Sequence, residues 1–241
     1  MSLFGLRAKL GTMKVITLDD PPCDVRVVRN ARARRFTLRL ESKGGGAVLT
    51  VPPGVQMRDC QSFLLRHTDW LTRALAKQPR QVVVGDGILL PVDGQPLEIM
   101  ALPGKRRAPE IEDGKLLLHG PGPVGTRLAT WLKERARARL NQSARQYAEA
   151  LGTTVNRVAL RDTTSRWGSC SSSGTLSFSW RLAMAPIPVQ DYLAAHEAAH
   201  LIEMNHSDRF WALVERLMPD WKTQRDWLRR EGKGLHAYRF D

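Results

Sequence analysis

The residues His196-Glu197-Ala198-Ala199-His200 have the types and spacing to hold a metal ion and to use it. Two histidines four positions apart leave a helix on the same face, one turn from each other, so both imidazoles can reach a single ion. Glu197, between them, is not a ligand. In zinc hydrolases of this pattern the metal lowers the pKa of its bound water, and the intervening glutamate takes the proton as that water attacks a carbonyl. The competing reading is an amphipathic helix with two exposed histidines and a solvated glutamate.

A catalytic zinc takes three protein ligands and leaves one position open. His206 is the expected third ligand. On a continuous helix it would be rotated about 240° away from the metal-facing side, so the helix must end between His200 and His206. Asn205 is the expected stop, because asparagine tolerates the left-handed conformation common after a helix C-terminus. Glu203 and Glu215 are rival ligands. The metzincin pattern shares the six-residue gap but has glycine where this chain has Glu203.

The elements that must position these residues are visible as periodicity. Short apolar or alternating runs over 25–28, 35–41 and 47–51 read as antiparallel strands, with a turn at Gly44-Gly45-Gly46. Helical spacing of Phe63, Leu64, Trp70, Leu71 and Leu75 predicts a helix over 57–76. Further strands are expected over 82–84, 88–91, 96–101 and 115–119, with Asp86-Gly87, Asp93-Gly94 and Asp113-Gly114 as hairpin signals. A long helix over 124–151, ending at Gly152, carries the stripe Leu128, Trp131, Leu132, Ala136, Leu140, Ala144, Tyr147 and Leu151 and is the expected back wall of the metal site. A domain boundary is expected at the Pro/Gly cluster near 122, dividing a basic β-rich region (1–122) from a second domain (123–241).

Strands over 155–160 and 175–181 flank the loop 166–173, the second functional candidate. The strand over 175–180 is the expected edge onto which an extended peptide would add by main-chain hydrogen bonds. Arg166 is a candidate to brace a carboxylate, and Trp167 and Trp180 are read first as core aromatics. Cys170 is read as a structural cysteine, with a transient ligand or an oxidisable thiol as the sharper alternatives. Ser207-Asp208 should cap a helix whose Phe210, Trp211, Leu213, Val214 and Leu217 pack on the metal helix. Asp208 and Glu215 are candidate partners for an imidazole N–H, and Tyr192, His236 and Tyr238 candidate oxyanion donors.

Charge is unevenly placed. Residues 1–150 hold 25 Lys and Arg against 14 Asp and Glu, whereas 151–241 hold 12 against 10. Arg26, Arg29, Arg32, Arg34, Arg35 and Arg39 form one cluster, and Arg135, Arg137, Arg139 and Arg145 another. Such runs can follow nucleic-acid phosphates, or simply be a solvated basic face. No run approaches the roughly 20 apolar residues of a membrane span. Three widely spaced cysteines, Cys23, Cys60 and Cys170, argue against a disulfide framework, and a cytoplasmic location is expected.

Around the metal motif, Arg166-Trp167-Gly168-Ser169-Cys170-Ser171, Trp180-Arg181-Leu182, Ala185-Pro186, Asn205-His206-Ser207 and Phe210-Trp211 together resemble the YgjP-like metallopeptidase family, a relative of the SprT and WLM groups. The resemblance covers about 155–227. It implies a zincin-type protease core with His196, His200 and His206 as zinc ligands and Glu197 as general base. The expectation is therefore an α+β protein in which a β-rich basic region precedes a zincin-like metallopeptidase domain acting on protein or peptide. The alternative from another class is a nucleic-acid-associated or protein-binding module with a structural or idle zinc.

Overall fold

The computed structural model describes residues 7–9, 14–41, 46–78 and 80–241. It is a mixed α+β fold with strands ahead of helices, as expected. The chain divides into two compact units, Met1–Gln81 and Val82–Asp241.

In the first unit, strands β1 (Arg7–Lys9), β2 (Lys14–Asp19), β3 (Pro22–Arg29), β4 (Thr37–Leu40) and β5 (Ala47–Val51) form one sheet in the order β1-β2-β3-β5-β4. β3 and β5 run parallel, which corrects the expectation of antiparallel pairing throughout. The expected helix over 57–76 is two helices, α1 (Met57–Arg66) and α2 (Thr68–Ala76). The break is at His67, whose φ of −111° and ψ of 13° leave the helical range and whose ring stacks on Phe63 at 4.0 Å. Cys60, Leu64 and Leu71 close a core with Val25, Leu49 and Val51 of the sheet. Gly44 and Gly45 of the expected turn lie outside the described residues.

The second unit contains β6 (Val82–Val83), β7 (Leu89–Val92), β8 (Gln95–Leu102), β9 (Glu110–Glu112), β10 (Lys115–His119), α3 (Val124–Ala150), β11 (Arg157–Arg161), β12 (Gly168–Cys170) and β13 (Thr175–Ser179). A 3-10 turn (Trp180–Met184), α4 (Ile187–Ala199), α5 (Asp208–Leu217), α6 (Trp221–Arg230), α7 (Gly232–Leu235) and β14 (Tyr238–Arg239) complete it. The boundary expected near 122 therefore falls inside this unit. Its strands cannot be separated from α3, because Leu90, Ile99, Leu116 and Leu118 share one core with Leu128, Leu132 and Leu140.

The Asp93-Gly94 and Asp113-Gly114 turns join paired strands as expected, with φ of 50° and 83° at the first pair and 46° and 74° at the second. Asp86-Gly87 does not, since β6 pairs with β14 rather than with β7. The long helix is present nearly as read. Of its stripe, Leu128, Leu132, Ala136, Leu140 and Ala144 are sealed from solvent, Trp131, Tyr147 and Leu151 are half-buried at its margins, and Gly152 at φ 72° follows the helix end. Two members of the second arginine cluster hold the fold together: Arg139 donates to Asp191 of α4 at 2.8 Å, and Arg135 to Asp93.

Asp93 fastens four elements at once. Its N–H donates to Ala183 of the 3-10 turn at 2.9 Å, and its carboxylate accepts from Arg135 Nε of α3 and from Gln190 Nε2 of α4, each at 2.9 Å. Replacing it by alanine removes the carboxylate and places a residue with little tolerance for positive φ in the turn. Asp93→Ala should cost about 2–4 kcal/mol of unfolding free energy in urea, and Asp93→Asn, which tolerates the turn and keeps one acceptor, about half as much. Equal losses would show that the turn conformation and the retained acceptor contribute nothing.

Candidate metal centre

Alanines make the motif helix possible. Ala194, Ala195, Ala198 and Ala199 are fully buried, so α4 lies deep in the unit with α3 behind it while His196, Glu197 and His200 occupy its last turns. The helix ends at Ala199, six residues before the expected stop at Asn205. Leu201 and Ile202 donate to Ala198 and Ala199, three residues back, which tightens the chain into a reversal without a left-handed residue. The His200 ring takes part: Nδ1 lies 3.0 Å from the Glu203 carbonyl oxygen. A carbonyl only accepts, so Nδ1 carries the proton and Nε2 keeps a free lone pair.

The reversal brings His206 back over the helix, with its Nε2 3.2 Å from His196 Nε2. One ring nitrogen from each of His196, His200 and His206 falls within 4.8 Å of the others. Glu203 supplies its carbonyl rather than its carboxylate, and Glu203, Glu215 and Cys170 lie outside the triad. Among the described residues neither Asp208 nor Glu215 bonds an imidazole; His196 Nδ1 is buried without a partner. Ser207 caps α5 by accepting from the Phe210 N–H at 3.4 Å, and Phe210 stacks on His200 at 4.4 Å, so α5 packs on the metal helix as expected.

Burial decides the charges. His196 is pushed down to about 3 by burial and then by His200 and His206, and His200 is lowered chiefly by burial. The His196 and His200 imidazoles are therefore neutral lone-pair donors, the form that ligates a cation. The donor set fits a metal ion. Glu197, 4% exposed, is pushed up to about 8 by burial, which the positive charge of Arg166 partly opposes. Its Oε2 is sealed and unpaired. Burial, with the charge of Glu197, raises the Cys170 thiol to about 11, so it is not a thiolate.

His196 and Glu197 open into a cavity of about 510 Å³. Trp167 lines it and stacks on His236 at 4.8 Å, whereas Trp180, 4% exposed, packs edge-on against Phe240; only the second is the expected core aromatic. Tyr192 and His236 also line the cavity, but Tyr238 sits in β14. Burial pushes the Tyr192 phenol up to about 12, so it keeps its proton.

The order β11-β13-β12 corrects the expected peptide-binding edge, since the strand over 175–180 is flanked on both sides and β12 is the free edge next to α4. Gly168 of that edge lies in the loop 166–173 singled out in the sequence, but its contact with Glu197 is not legible there. A Cβ there would overlap Glu197 Oε1 and come within 2.7 Å of its Cδ. Arg225, Arg229 and Lys233 on the cavity wall were missed in the sequence, although Arg225 and Arg229 are four apart, the spacing of one helical face.

A profile of the YgjP-like, metallopeptidase domain matches residues 34–231. The chain belongs to the YgjP-like metallopeptidase family. The match extends well beyond 155–227 and reaches into the first unit. Curated proteins yield no significant match. Among solved structures, the metallopeptidase zymogen of Pyrococcus abyssi abylysin is similar over 44% of this chain and 93% of that one, with 24% identity and a TM-score of 0.31. A YgjP-like metallopeptidase acts on protein or peptide, and no helix among the described residues is long and apolar enough to cross a membrane.

In this YgjP-like site the close approach of Gly168 to Glu197 is testable. Gly168→Ala should displace the carboxyl while leaving the three imidazoles in place. Metal content should stay at the wild-type level and peptide hydrolysis should fall by about 10²-fold or more, the scale of losing a positioned base. Unchanged turnover would mean that Glu197 has room to move without consequence.

Proposed function

We propose that the protein is a zinc-dependent peptidase in which His196, His200 and His206 hold the ion and Glu197 is the general base. The observation that carries this reading is the convergence of three imidazoles beside a buried, unpaired carboxyl. The 3.2 Å between the Nε2 atoms of His196 and His206 supports zinc, because two nitrogens about 2.0–2.1 Å from one tetrahedral ion stand about 3.3 Å apart. The cavity against His196 and Glu197 favours a catalytic over a closed structural site. When bound, zinc acidifies water and polarises the scissile carbonyl.

The chain's own groups do the rest. Glu197 takes the proton of the attacking water in its ionised form, which burial disfavours and a cation held by the three histidines would favour, and returns it to the leaving amine. Main-chain groups orient the substrate: Trp167 and Ser171 bond toward β13, so by alternation Gly168 and Cys170 of β12 turn theirs to the free edge, where an extended peptide can add. The Tyr192 phenol, still protonated, is positioned in the cavity as a donor to the developing oxyanion.

Metal analysis and assay on unfolded protein test this reading together. The wild type should carry about one zinc per chain. Glu197→Gln should keep it and lose about 10²-fold or more in turnover, while His206→Ala should weaken zinc affinity by about 10-fold or more. Full zinc retention in His206→Ala, or unimpaired Glu197→Gln, overturns the corresponding role.

A second reading concerns the first unit. Arg32, Arg34, Arg35 and Arg39 are exposed, and among the described residues no acidic side chain pairs with them. A nucleic-acid contact there should weaken steeply as salt rises from about 50 to about 200 mM, and charge reversal of Arg32, Arg34 and Arg35 should flatten that slope. Absence of DNA or RNA binding at about 50 mM salt would leave these arginines as a solvated face.

A further inference from the structure

The cavity beside Glu197 is lined by four cations. Arg166 comes from the loop before β12, Arg225 and Arg229 from one face of α6, and Lys233 from α7, while Glu197 is the one acidic residue on the lining. Apart from Glu197, which interacts with Arg166, only Asp226 among the described residues pairs with this group, at 4.0 Å from Arg225 Nε and 3.8 Å from Arg229 Nη1, and it does not line the cavity. A single exposed acid at such distances leaves most of the positive charge unbalanced. Arg225 lies against the stacked pair Trp221 and Trp211, 4.6 Å and 5.5 Å from their centroids, and its Nε is sealed from solvent without a hydrogen bond. A guanidinium fixed in this way loses little freedom when it meets an anion.

We propose that this wall is the specificity pocket of the peptidase and that it takes a carboxylate of the substrate peptide. The inference rests on the peptidase reading, which makes a peptide the occupant. Arginine and lysine recognise carboxylates by charge-assisted hydrogen bonds, and a concave low-dielectric wall concentrates their field on a bound anion. Arg229 and Lys233 are exposed and do the selecting, whereas Arg225 and Arg166 frame the pocket. Leu193, Leu228 and Trp167 give the bound residue an apolar floor.

The test uses the full-length, zinc-loaded Glu197→Gln variant, so that binding is read without hydrolysis. Fluorescent peptides of one neutral sequence are compared with an amidated end, with a free C-terminal carboxylate, and with internal Asp or Glu replacements. Carboxylate-bearing peptides should bind about 10-fold or more tighter than the neutral amide, with the preference shrinking as salt rises from about 50 to about 200 mM. The free-end and internal series tell whether a terminal or a side-chain carboxylate is preferred. Adding Arg229→Gln with Lys233→Gln should bring the ratio near one, and Arg229→Glu with Lys233→Glu should invert it. The same charge change at the exposed Arg137 and Arg216, outside the cavity, should leave it intact.

Equal binding of neutral and acidic peptides, or a preference that survives loss of Arg229 and Lys233, overturns the proposal. Parallel turnover by the wild type separates the two readings. Hydrolysis without acidic preference leaves the peptidase and removes the pocket, and acidic binding without hydrolysis of any peptide does the reverse.

Discussion

The hydrogen bond from His200 Nδ1 to the Glu203 carbonyl is the contact on which the centre depends. It does two things with one proton. It fixes the tautomer that leaves Nε2 free, and it holds the tight reversal that brings His206 within 3.2 Å of His196. Were the chain to continue helically, His206 would face away and the triad would be a pair. The burial of α4 against α3 follows from the same need, because a helix end that must hold three rings to a few tenths of an ångström has to be held on its other sides. Its alanines allow that approach, and Asp191, bonded to both Arg139 and Ser143 of α3, keeps the helix from sliding.

A second set of contacts ties substrate-facing residues to this frame. Gly168 meets the Glu197 carboxyl from one side, and Trp167, stacked on His236, packs against Gly232 from the other. The wall that carries Lys233 and His236 is thereby joined to the edge strand that offers main-chain groups. The strand edge at Gly168, the Glu197 carboxyl, the cations and His196 of the triad thus border one cavity.

The metal motif, the capped α5 and α3 with its buried stripe were legible because each depends on local spacing, which a linear sequence records directly. Two of the three Asp-Gly turns were legible for the same reason. What was not legible depends on partners distant in the chain. The unit boundary at 81–82 was masked by a Pro/Gly cluster that serves only as the entry to α3, and the pairing of β6 with β14 has no local signal. β12 is three residues long, too short for its alternation to be read, and its edge position follows from pairing with β13. The arginines of α6 resemble any solvated helical face, and their role emerges only when that face is seen to border Glu197. Asn205 failed as a helix stop because a side-chain hydrogen bond two residues upstream achieves the reversal earlier.

The anchoring of Arg181 has a consequence for the order in which the protein becomes active during synthesis. This buried guanidinium, on the turn that leads into α4, donates to Asp162 and to the carbonyls of Leu235 and Tyr238. A nascent chain carries His196, His200 and His206 before it carries either carbonyl. Until residues 235–238 are in place, the turn before the metal helix holds a charge with two of its acceptors missing, an arrangement that disfavours burial. The three-histidine cluster is therefore among the last parts of its unit to be secured, well after its own residues have been made.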